Sequence, residues 1–182
     1  MGDEEDRAKF ASVVVPHLAD ALVLARWLTG GQADAEDVVQ DACLRAFRAL
    51  SGFSGGNGRA WVLTIVRNTA YSWLRKNRNK ILVAIDDLDV AERSQAERGG
   101  DVASLNAITP ESELIARADA VRLEAAISAL PTEFREALVL RDIQGLEYRD
   151  IAEVTGMPVG TVASRVARAR HRLIEAIRTH EL

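Results

Sequence analysis

The stretch from Tyr148 to Ile177, YRDIAEVTGMPVGTVASRVARARHRLIEAI, determines how the rest of the chain is interpreted. It predicts a short helix, a backbone turn at Gly156 and a second helix that begins near Pro158. Glycine adopts turn conformations that bulkier residues resist, and proline suits the first turn of a helix. Ala152 permits a close helix crossing, and Val162 fills the angle between the two helices. This is the spacing that a helix-turn-helix needs.

The second helix of this motif has an apolar stripe and a basic face. With 3.6 residues per turn, the stripe contains Val162, Val166, Ala169, Leu173 and Ile177, and the opposite face contains Gly160, Ser164, Arg168 and His171. Arg165 and Arg172 lie on one flank, and Arg170 lies on the other. A solvated amphipathic helix has similar arginines, but the spacing and the preceding short helix favour DNA recognition.

The composition is that of a helical protein. The 182 residues are 48% hydrophobic and 27% charged, and few stretches alternate with period two. We expect no membrane span and no secretion signal, because there is no long apolar run and no basic-then-apolar leader. Cys43 is the only cysteine, which excludes an internal disulfide, and with three histidines it argues against a zinc site. We therefore expect neither a metal nor a cofactor.

The charge distribution is more informative than the net charge of −4. Residues 59–80 contain six basic and no acidic side chains, whereas residues 81–115 contain eight acidic and two basic ones. Residues 158–182 are again basic, with five basic and two acidic side chains. Two basic segments are thus separated by an acidic one, and local charge governs binding to a phosphate backbone.

The first fifty residues predict helices with an exposed acidic face. An apolar period from Phe10 to Leu28, with Pro16 as a kink or a new start, ends at Gly30, and Asp34 is the expected N-cap of the next helix. Its predicted inner stripe is Val39, Cys43, Ala46 and Leu50, and its outer face carries Asp37, Asp41, Leu44 and Arg48. An exposed leucine beside two carboxylates is a place where a partner could dock.

A glycine-rich loop, Ser51–Gly58, precedes a second long helix from about Arg59 to Lys80. One predicted face carries Val62, Val66, Thr69, Ala70 and Trp73; the other carries Arg67, Tyr71, Arg75 and Arg78, flanked by Trp61, Asn68 and Ser72. Arginines interleaved with aromatic residues suit the phosphates and bases of single-stranded DNA. A solvated face with tyrosine packed on arginine stems is the alternative.

Helical periodicity fades from Ile81 to about Glu113, where aspartates, glycines and Pro110 indicate a flexible acidic linker. A connection that long is unusual inside one compact domain. We therefore predict an all-α fold with two small helical domains, 7–80 and 114–180, joined by a linker at 81–113. The second domain should begin with a helix through Ile115, Val121, Leu123, Ile127 and Leu130, followed by a helix from Pro131 to near Gly145.

Three segments, in this order and spacing, resemble the extracytoplasmic-function (ECF) sigma factors, a two-domain class of bacterial sigma factors. The resemblance to region 2.2 lies in DAEDVVQDACLRAFRAL (34–50), and that to regions 2.3 and 2.4 lies in RAWVLTIVRNTAYSWLRKNR (59–78). The resemblance to region 4 lies in LPTEFREALVLRDIQGLEYRDIAEVTGMPVGTVASRVARARHRL (130–173). It covers nearly the whole chain.

The resemblance implies a non-enzymatic transcription initiation factor in the bacterial cytoplasm. Region 2.2 would dock on the clamp of the RNA polymerase largest subunit through Asp37, Gln40, Asp41 and Leu44. Region 2 would hold melted minus-ten bases and their backbone through Phe53, Trp61, Arg67, Asn68, Tyr71, Arg75 and Arg78. Region 4 would read the minus-thirty-five duplex through Pro158, Gly160, Thr161, Ser164, Arg165, Arg168 and Arg172. An anti-sigma factor is a further implied partner.

Two other functions compete with this interpretation. A stand-alone helix-turn-helix regulator with an N-terminal sensing domain would dimerise on palindromic half-sites, but it leaves the arginine and aromatic stripe unexplained. A nucleic-acid enzyme could use Asp86, Asp87 and Asp89 as metal ligands. Carboxylates in a linker lack rigid support, so the sequence argues against this third function.

Overall fold

A computed structural model of the chain describes residues 2–86 and 110–179, with side chains described for 4–77 and 117–178. Within these residues the regular structure is helical and no strand is present, so the all-α prediction is confirmed. The first part contains α1 (Gly2–Val13), α2 (Leu18–Thr29), α3 (Gln32–Ala49) and α4 (Gly58–Asp86). Short 3-10 turns lie at Val15–His17 and Leu50–Gly52.

The second part begins at the proline that the sequence assigns to the linker. It contains α5 (Pro110–Ser128), α6 (Thr132–Leu138), α7 (Tyr148–Thr155) and α8 (Val159–Thr179). A single π-helical segment, Val139–Ile143, continues α6. Pro110 opens α5 because its fixed backbone angle suits a first helical turn.

Helix α4 is longer than the sequence predicts. It continues past Lys80 to Asp86, because the segment from Ile81 to Ile85 contains no glycine or proline to end a helix. Residues 87–109 lie outside the described part of the chain, and so do the linker aspartates Asp87 and Asp89.

The junctions among the first three helices follow from proline and glycine chemistry. Pro16 lies in the 3-10 turn between α1 and α2, so it opens a second helix. Gly30 ends α2 with φ of 83°, and its N–H donates to the Arg26 carbonyl. The expectation that Asp34 is the N-cap of α3 is wrong. Gly31, with extended backbone, is the cap, and Asp34 lies inside the first turn because the helix starts directly after the glycine pair.

Helices α2, α3 and α4 pack on one another around an apolar core. On α3 the buried residues are Ala35, Val38, Ala42 and Ala46. The inner stripe is therefore shifted by about one residue towards the N-terminus, since Val38 and Ala42 take the places predicted for Val39 and Cys43. Val39 and Cys43 are only half-buried, and burial raises the pKa of the Cys43 thiol. On α4 the predicted inner face is correct for Val62, Val66, Thr69 and Ala70.

The segment Glu4–Thr29 is long and apolar enough to cross a membrane, judged by length and composition alone, and an 18-residue window within it has a mean hydropathy of 1.5. In this structure the 3-10 turn containing Pro16 interrupts it. Its side chains Val14, Ala21, Leu24, Ala25 and Leu28 belong to the core formed with α3 and α4.

The helices of the second part pack against the buried stripe of α8. One apolar cluster joins Ile127, Leu130, Phe134, Leu138 and Ala169. Val121 and Leu123, expected on the apolar face of α5, are 58% and 43% exposed. That expectation is wrong because α5 meets α8 and the cluster through its C-terminal end, around Ile127 and Leu130.

Helices α7 and α8 form the predicted helix-turn-helix. Gly156 has φ of 69°, and its N–H donates to the Ala152 carbonyl at 2.9 Å, which ends α7. The Pro158 carbonyl accepts bonds from the N–H groups of Thr161 and Val162 at the start of α8. Val162 is fully buried, together with Val166 and Ala169 further along the same stripe. The turn therefore fixes the direction in which α8 leaves the domain.

A pair of glycine substitutions tests this turn. Gly156→Ala should destabilise the protein by about 1–2 kcal/mol, because an L side chain is strained at positive φ although the space around it is open. Gly160→Ala lies in α8 with open space and ordinary φ, so it should stabilise by up to about 1 kcal/mol. Urea unfolding followed by circular dichroism measures both. A Gly156→Ala protein as stable as the parent would contradict the assigned turn.

Candidate nucleic-acid interface

The outer face of α3 is an exposed acidic surface with an apolar centre. Asp37, Gln40 and Asp41 are exposed, and Leu44 is 59% exposed. Asp41 accepts hydrogen bonds from Arg45 at 3.1 and 2.9 Å. Phe47, 40% exposed, extends the apolar area, and the sequence analysis missed it although it lies one turn of helix from Leu44.

The loop before α4 is held from two sides. The rings of Phe53 and Trp61 lie 4.9 Å apart in a tilted contact. The Lys9 ammonium donates to the carbonyls of Leu50 and Phe53 at 3.0 and 3.1 Å. The two predicted aromatic residues therefore come together, and Lys9 on α1 anchors the loop that presents them.

The predicted basic stripe on α4 divides into an exposed and a covered part. Asn68 and Arg75 are exposed, and Arg75 donates to the Ser72 hydroxyl at 3.1 Å. The side chain of Arg78 lies outside the described ones. Arg67 and Tyr71, in contrast, are partly buried, because α6 of the second part packs against them.

Glu136 on α6 is the residue that covers this part of the stripe. Arg67 donates to its carboxylate through Nε at 2.6 Å and through a terminal nitrogen at 3.3 Å. The Tyr71 hydroxyl donates to the same carboxylate at 3.2 Å. The Arg67 guanidinium also lies over the Tyr71 ring, 4.6 Å from its centroid. One carboxylate thus binds the two side chains that are predicted to hold a DNA strand.

Burial dominates the electrostatics of this contact. The side chain of Glu136 is 0% exposed and that of Arg67 is 18% exposed. Burial raises the pKa of Glu136, while the hydrogen bonds and charge of Arg67 act in the opposite direction. Burial, followed by the Glu136 charge, raises the pKa of Tyr71 to about 12, so its hydroxyl keeps the proton that it donates.

Helix α8 presents its predicted reading face to solvent. Pro158, Gly160, Ser164 and Arg168 are exposed, and Thr161 is half-buried. The Ser164 hydroxyl donates to the Thr161 carbonyl at 2.9 Å. Gly160, Ser164 and Arg168 lie opposite the buried stripe, as the 3.6-residue period predicts.

The arginines of α8 differ in how they are held. Arg165 pairs with Glu133 at 3.6 Å, and Arg170 donates to Asp142 at 3.0 Å. Arg172 lies over the Phe134 ring at 4.7 Å. Within the described side chains, Arg168 is exposed and makes none of these intradomain contacts. It is therefore the arginine of this face that is most available to a ligand.

Within the described residues, no group of three or more His, Cys, Asp or Glu side chains could hold a metal ion. The side chain of Asp86, proposed as a metal ligand in the enzyme alternative, lies outside those described.

Sequence reasoning missed Glu136 altogether. A signal was present, because Glu136 is the one charged residue in the run EALVL, whose other members are all buried. A charge inside an apolar run requires a partner, and the partner is a cation sixty-nine positions earlier in the chain.

Comparisons with known proteins agree with this division into two parts. A model of sigma-70 region 2 matches residues 13–80, and a model of sigma-70 region 4 matches residues 120–173. The chain is 33% identical over 154 residues to the ECF RNA polymerase sigma-E factor of Escherichia coli, covering 84% of this chain and 78% of that protein. It is 32% identical to the ECF RNA polymerase sigma factor SigE of Mycolicibacterium smegmatis, covering 98% of this chain and 65% of that protein.

Solved structures show the same similarity. The sigma factor RpoE of Bartonella quintana, in complex with the anti-sigma factor NepR, matches with a TM-score of 0.70 and 31% identity. The match covers 93% of this chain and 96% of that one. CnrH, in complex with the cytosolic domain of CnrY, matches with a TM-score of 0.59 and 26% identity, covering 93% and 88% of the two chains.

Two helical domains with these matches define a sigma-70 class protein that contains regions 2 and 4. Within that class, the chain belongs to the ECF sigma factors, a family of transcription initiation factors that have no catalytic chemistry of their own. A stand-alone regulator with a sensing domain does not account for the region 2 match. The chain spans about two thirds of the length of the mycobacterial relative.

Proposed function

We propose that the chain binds core RNA polymerase and directs it to specific promoters. Region 2, residues 7–80, docks on the clamp and holds the melted minus-ten strand; region 4, residues 114–180, reads the minus-thirty-five duplex. The observation that carries this proposal is the exposed face of α8, where Ser164 and Arg168 lie opposite the buried Val162 and Val166. Run-off transcription with purified core polymerase is the direct test, and the absence of promoter-dependent transcripts would refute it.

Docking is assigned to the outer face of α3. Leu44 is exposed among the polar side chains Asp37, Gln40 and Asp41 on a helix whose other face is buried. An apolar centre with a polar rim is the anatomy of a protein interface. Because Arg45 already pairs with Asp41 within the helix, the acidic rim is arranged before a partner arrives.

The double variant Asp41→Arg/Leu44→Ala tests docking. It should weaken binding to core polymerase by about 1–4 kcal/mol, because it removes an apolar anchor and reverses a rim charge. Pull-down titration with core polymerase measures the loss, and circular dichroism should show unchanged helix content. The control Asp119→Arg/Leu123→Ala makes the same two substitutions at exposed positions on α5, in the other region of the chain. Equal affinity of the test variant and the control would contradict the assignment.

Strand capture is assigned to the loop and the stripe of region 2. Phe53 and Trp61 supply paired aromatic rings, and Arg67, Tyr71 and Arg75 follow along α4. Aromatic faces stack on unpaired bases and arginines bind the backbone, so the surface suits a single strand. Asn68 is exposed beside the stripe, where its amide could contact a base edge.

Strand capture predicts a difference between closed and melted templates. Asn68→Ala/Tyr71→Ala should impair open-complex formation on a duplex promoter by more than on the same promoter melted in advance at the minus-ten element. The lost stacking corresponds to about 1–3 kcal/mol per base. The rate at which the holoenzyme forms heparin-resistant complexes, on a promoter selected in vitro, measures both templates. Lys76→Ala, exposed on the same helix, is the control, and an equal loss on both templates would refute the assignment.

Duplex reading is assigned to α8 by the geometry of its faces. Ser164 and Arg168 point away from the core, whereas Arg165 and Arg172 lie on a flank and touch Glu133 and Phe134 of their own domain. Base contacts specify a sequence, whereas phosphate contacts position the protein. Substitutions in the two groups should therefore change promoter binding in different ways.

Arg168→Ala should cost about 1–3 kcal/mol of promoter binding and relax preference at one or two base pairs. Arg172→Ala should weaken all promoter variants alike and lower the salt slope by about one. Holoenzyme binding to single-base variants of the minus-thirty-five element, at several salt concentrations, separates the two. If Arg172→Ala changed base preference and Arg168→Ala did not, α8 would enter the groove with a different face.

Regulation by an anti-sigma factor is part of the same proposal. Two similar structures are complexes of a sigma factor with a partner chain, and the partner in one is described as an anti-sigma factor. We place the protein in the bacterial cytoplasm, where polymerase and chromosome are found. Residues 81–113, which include the end of α4, then connect the two promoter-binding domains.

A further inference from the structure

The polar contact between Glu136 and the α4 stripe joins the two domains that the proposed function requires to act on separate DNA elements. We propose that Glu136 latches regions 2 and 4 in a closed form, in which region 4 occupies the strand-binding surface of region 2. The chain must then open before Arg67 and Tyr71 can hold a melted strand. This inference rests on the proposed function and adds a regulatory step to it.

The Glu136 carboxylate occupies the position on Arg67 and Tyr71 that a strand phosphate would occupy. Arg67 binds the Glu136 carboxylate through two nitrogens, and the guanidinium fork binds carboxylates and phosphates with similar geometry. Tyr71 donates its hydroxyl to the same carboxylate while its ring packs under Arg67. A strand phosphate and the Glu136 carboxylate therefore compete for one pair of side chains.

Other contacts hold the closed form along the same seam. Arg59 pairs with Asp20 in region 2 and donates to the Gln144 carbonyl in region 4 at 2.8 Å. The Gln144 amide donates back to the Asp20 carbonyl at 2.6 Å. Asn57 donates to the Asp150 carboxylate at 3.0 Å. The bonds of Arg59, Gln144 and Asn57 therefore cross between the domains in addition to the Glu136 contact.

Apolar packing supplies the attraction between the domains. One continuous buried cluster contains Val62, Leu63 and Val66 of region 2 together with Leu140 and Ile151 of region 4. Trp27 of α2 packs against the separate cluster around Phe134 and Leu138. Burial of apolar surface is non-directional, so the Glu136 contact is needed to fix which faces meet.

The closed form leaves the other proposed surfaces accessible. Leu44 and Asp41 on α3 are exposed, and so are Ser164 and Arg168 on α8. On the strand surface, region 4 covers the part formed by Arg67 and Tyr71. The closed chain can therefore meet core polymerase or a duplex, whereas capture of the melted strand has to wait for opening.

Promoter geometry requires the same opening. The minus-ten and minus-thirty-five elements are about 25 base pairs apart, which is roughly 85 Å at about 3.4 Å per base pair. A compact chain of this length has a radius of gyration of about 16 Å and a diameter of about 40 Å. It cannot contact both elements while closed. Asp86 and Pro110 are twenty-four positions apart in the sequence, and a chain of that length spans at most on the order of 80 Å.

A crosslinking assay on the free chain measures closure without DNA or polymerase. Asn57→Cys and Asp150→Cys, in a Cys43→Ala background, place the only two thiols on opposite sides of the seam. A short bismaleimide should then link them within the molecule at high yield. Adding Glu136→Gln should slow this reaction at least fivefold, because the neutral amide keeps the shape of the side chain and removes its charge.

The controls separate the latch from a folding defect. Glu153→Gln makes the same change at an exposed site in region 4 and should leave the crosslinking rate unchanged. Arg67→Gln should slow the reaction as Glu136→Gln does, and combining the two should add little, because both remove one interaction. Circular dichroism checks that each variant is folded. A parent that fails to crosslink, or a Glu136→Gln variant that crosslinks at the parent rate, overturns the latch.

A second arm distinguishes failure of the latch from failure of the proposed function. A twelve-nucleotide oligodeoxythymidine, added at low salt, should slow crosslinking of the parent, because strand binding and closure exclude each other. If Glu136→Gln opens the chain but the oligonucleotide has no effect on the parent, the latch stands and strand capture by the α4 stripe is wrong. If the oligonucleotide slows crosslinking of the parent but the Glu136→Gln substitution leaves the crosslinking rate unchanged, strand capture stands and the latch is wrong.

Discussion

The burial of one carboxylate between two helical domains is the constraint on which the arrangement of the rest depends. An ionised glutamate removed from water is costly unless its oxygens are paired, and breaking such a buried pair costs about 3–5 kcal/mol. Glu136 meets this requirement only when region 4 lies against Arg67 and Tyr71 of region 2. Since a buried pair adds little net stability over an apolar contact, its main effect is to select one docking geometry for the two domains.

Burial also fixes the orientation of the recognition helix α8 within region 4. Gly156 sets the angle at which α8 leaves α7, and the buried stripe from Val162 to Ala169 fixes its rotation. Contacts of Arg165, Arg170 and Arg172 with their own domain then hold the flanks of the helix. What remains on the outer face is a short set of small and polar residues with Arg168 at its centre. A rigid helix whose outer face presents an uncommitted arginine is suited to reading a few base edges.

The two proposed DNA-binding surfaces therefore differ in how accessible they are in this structure. The region 4 face is exposed and held by local contacts, whereas the region 2 stripe is engaged by another part of the same chain. A family that initiates transcription only at particular promoters has a physical use for this difference, because a factor that cannot hold a single strand while free has less affinity for irrelevant DNA. The energy for opening then has to come from contacts with polymerase and promoter, which exist only in the correct complex.

The sequence by itself determined the helical class, the helix-turn-helix and most side chains on each face of α4 and α8, because these depend on a 3.6-residue period and on single glycines and prolines. Ile177 is an exception, since it belongs to the predicted buried stripe of α8 but is 36% exposed. Local pattern was less reliable where partners decide the outcome: Val121 and Leu123 look buried by period but are exposed, and the stripe of α3 is displaced towards Val38. The contact between Arg67 and Glu136 was decided only by the tertiary structure. Those residues are sixty-nine positions apart, and no periodicity specifies which apolar surfaces meet across a domain boundary. The sequence places each charge on its helix, whereas the packing of the two domains decides whether that charge faces water, DNA or another side chain.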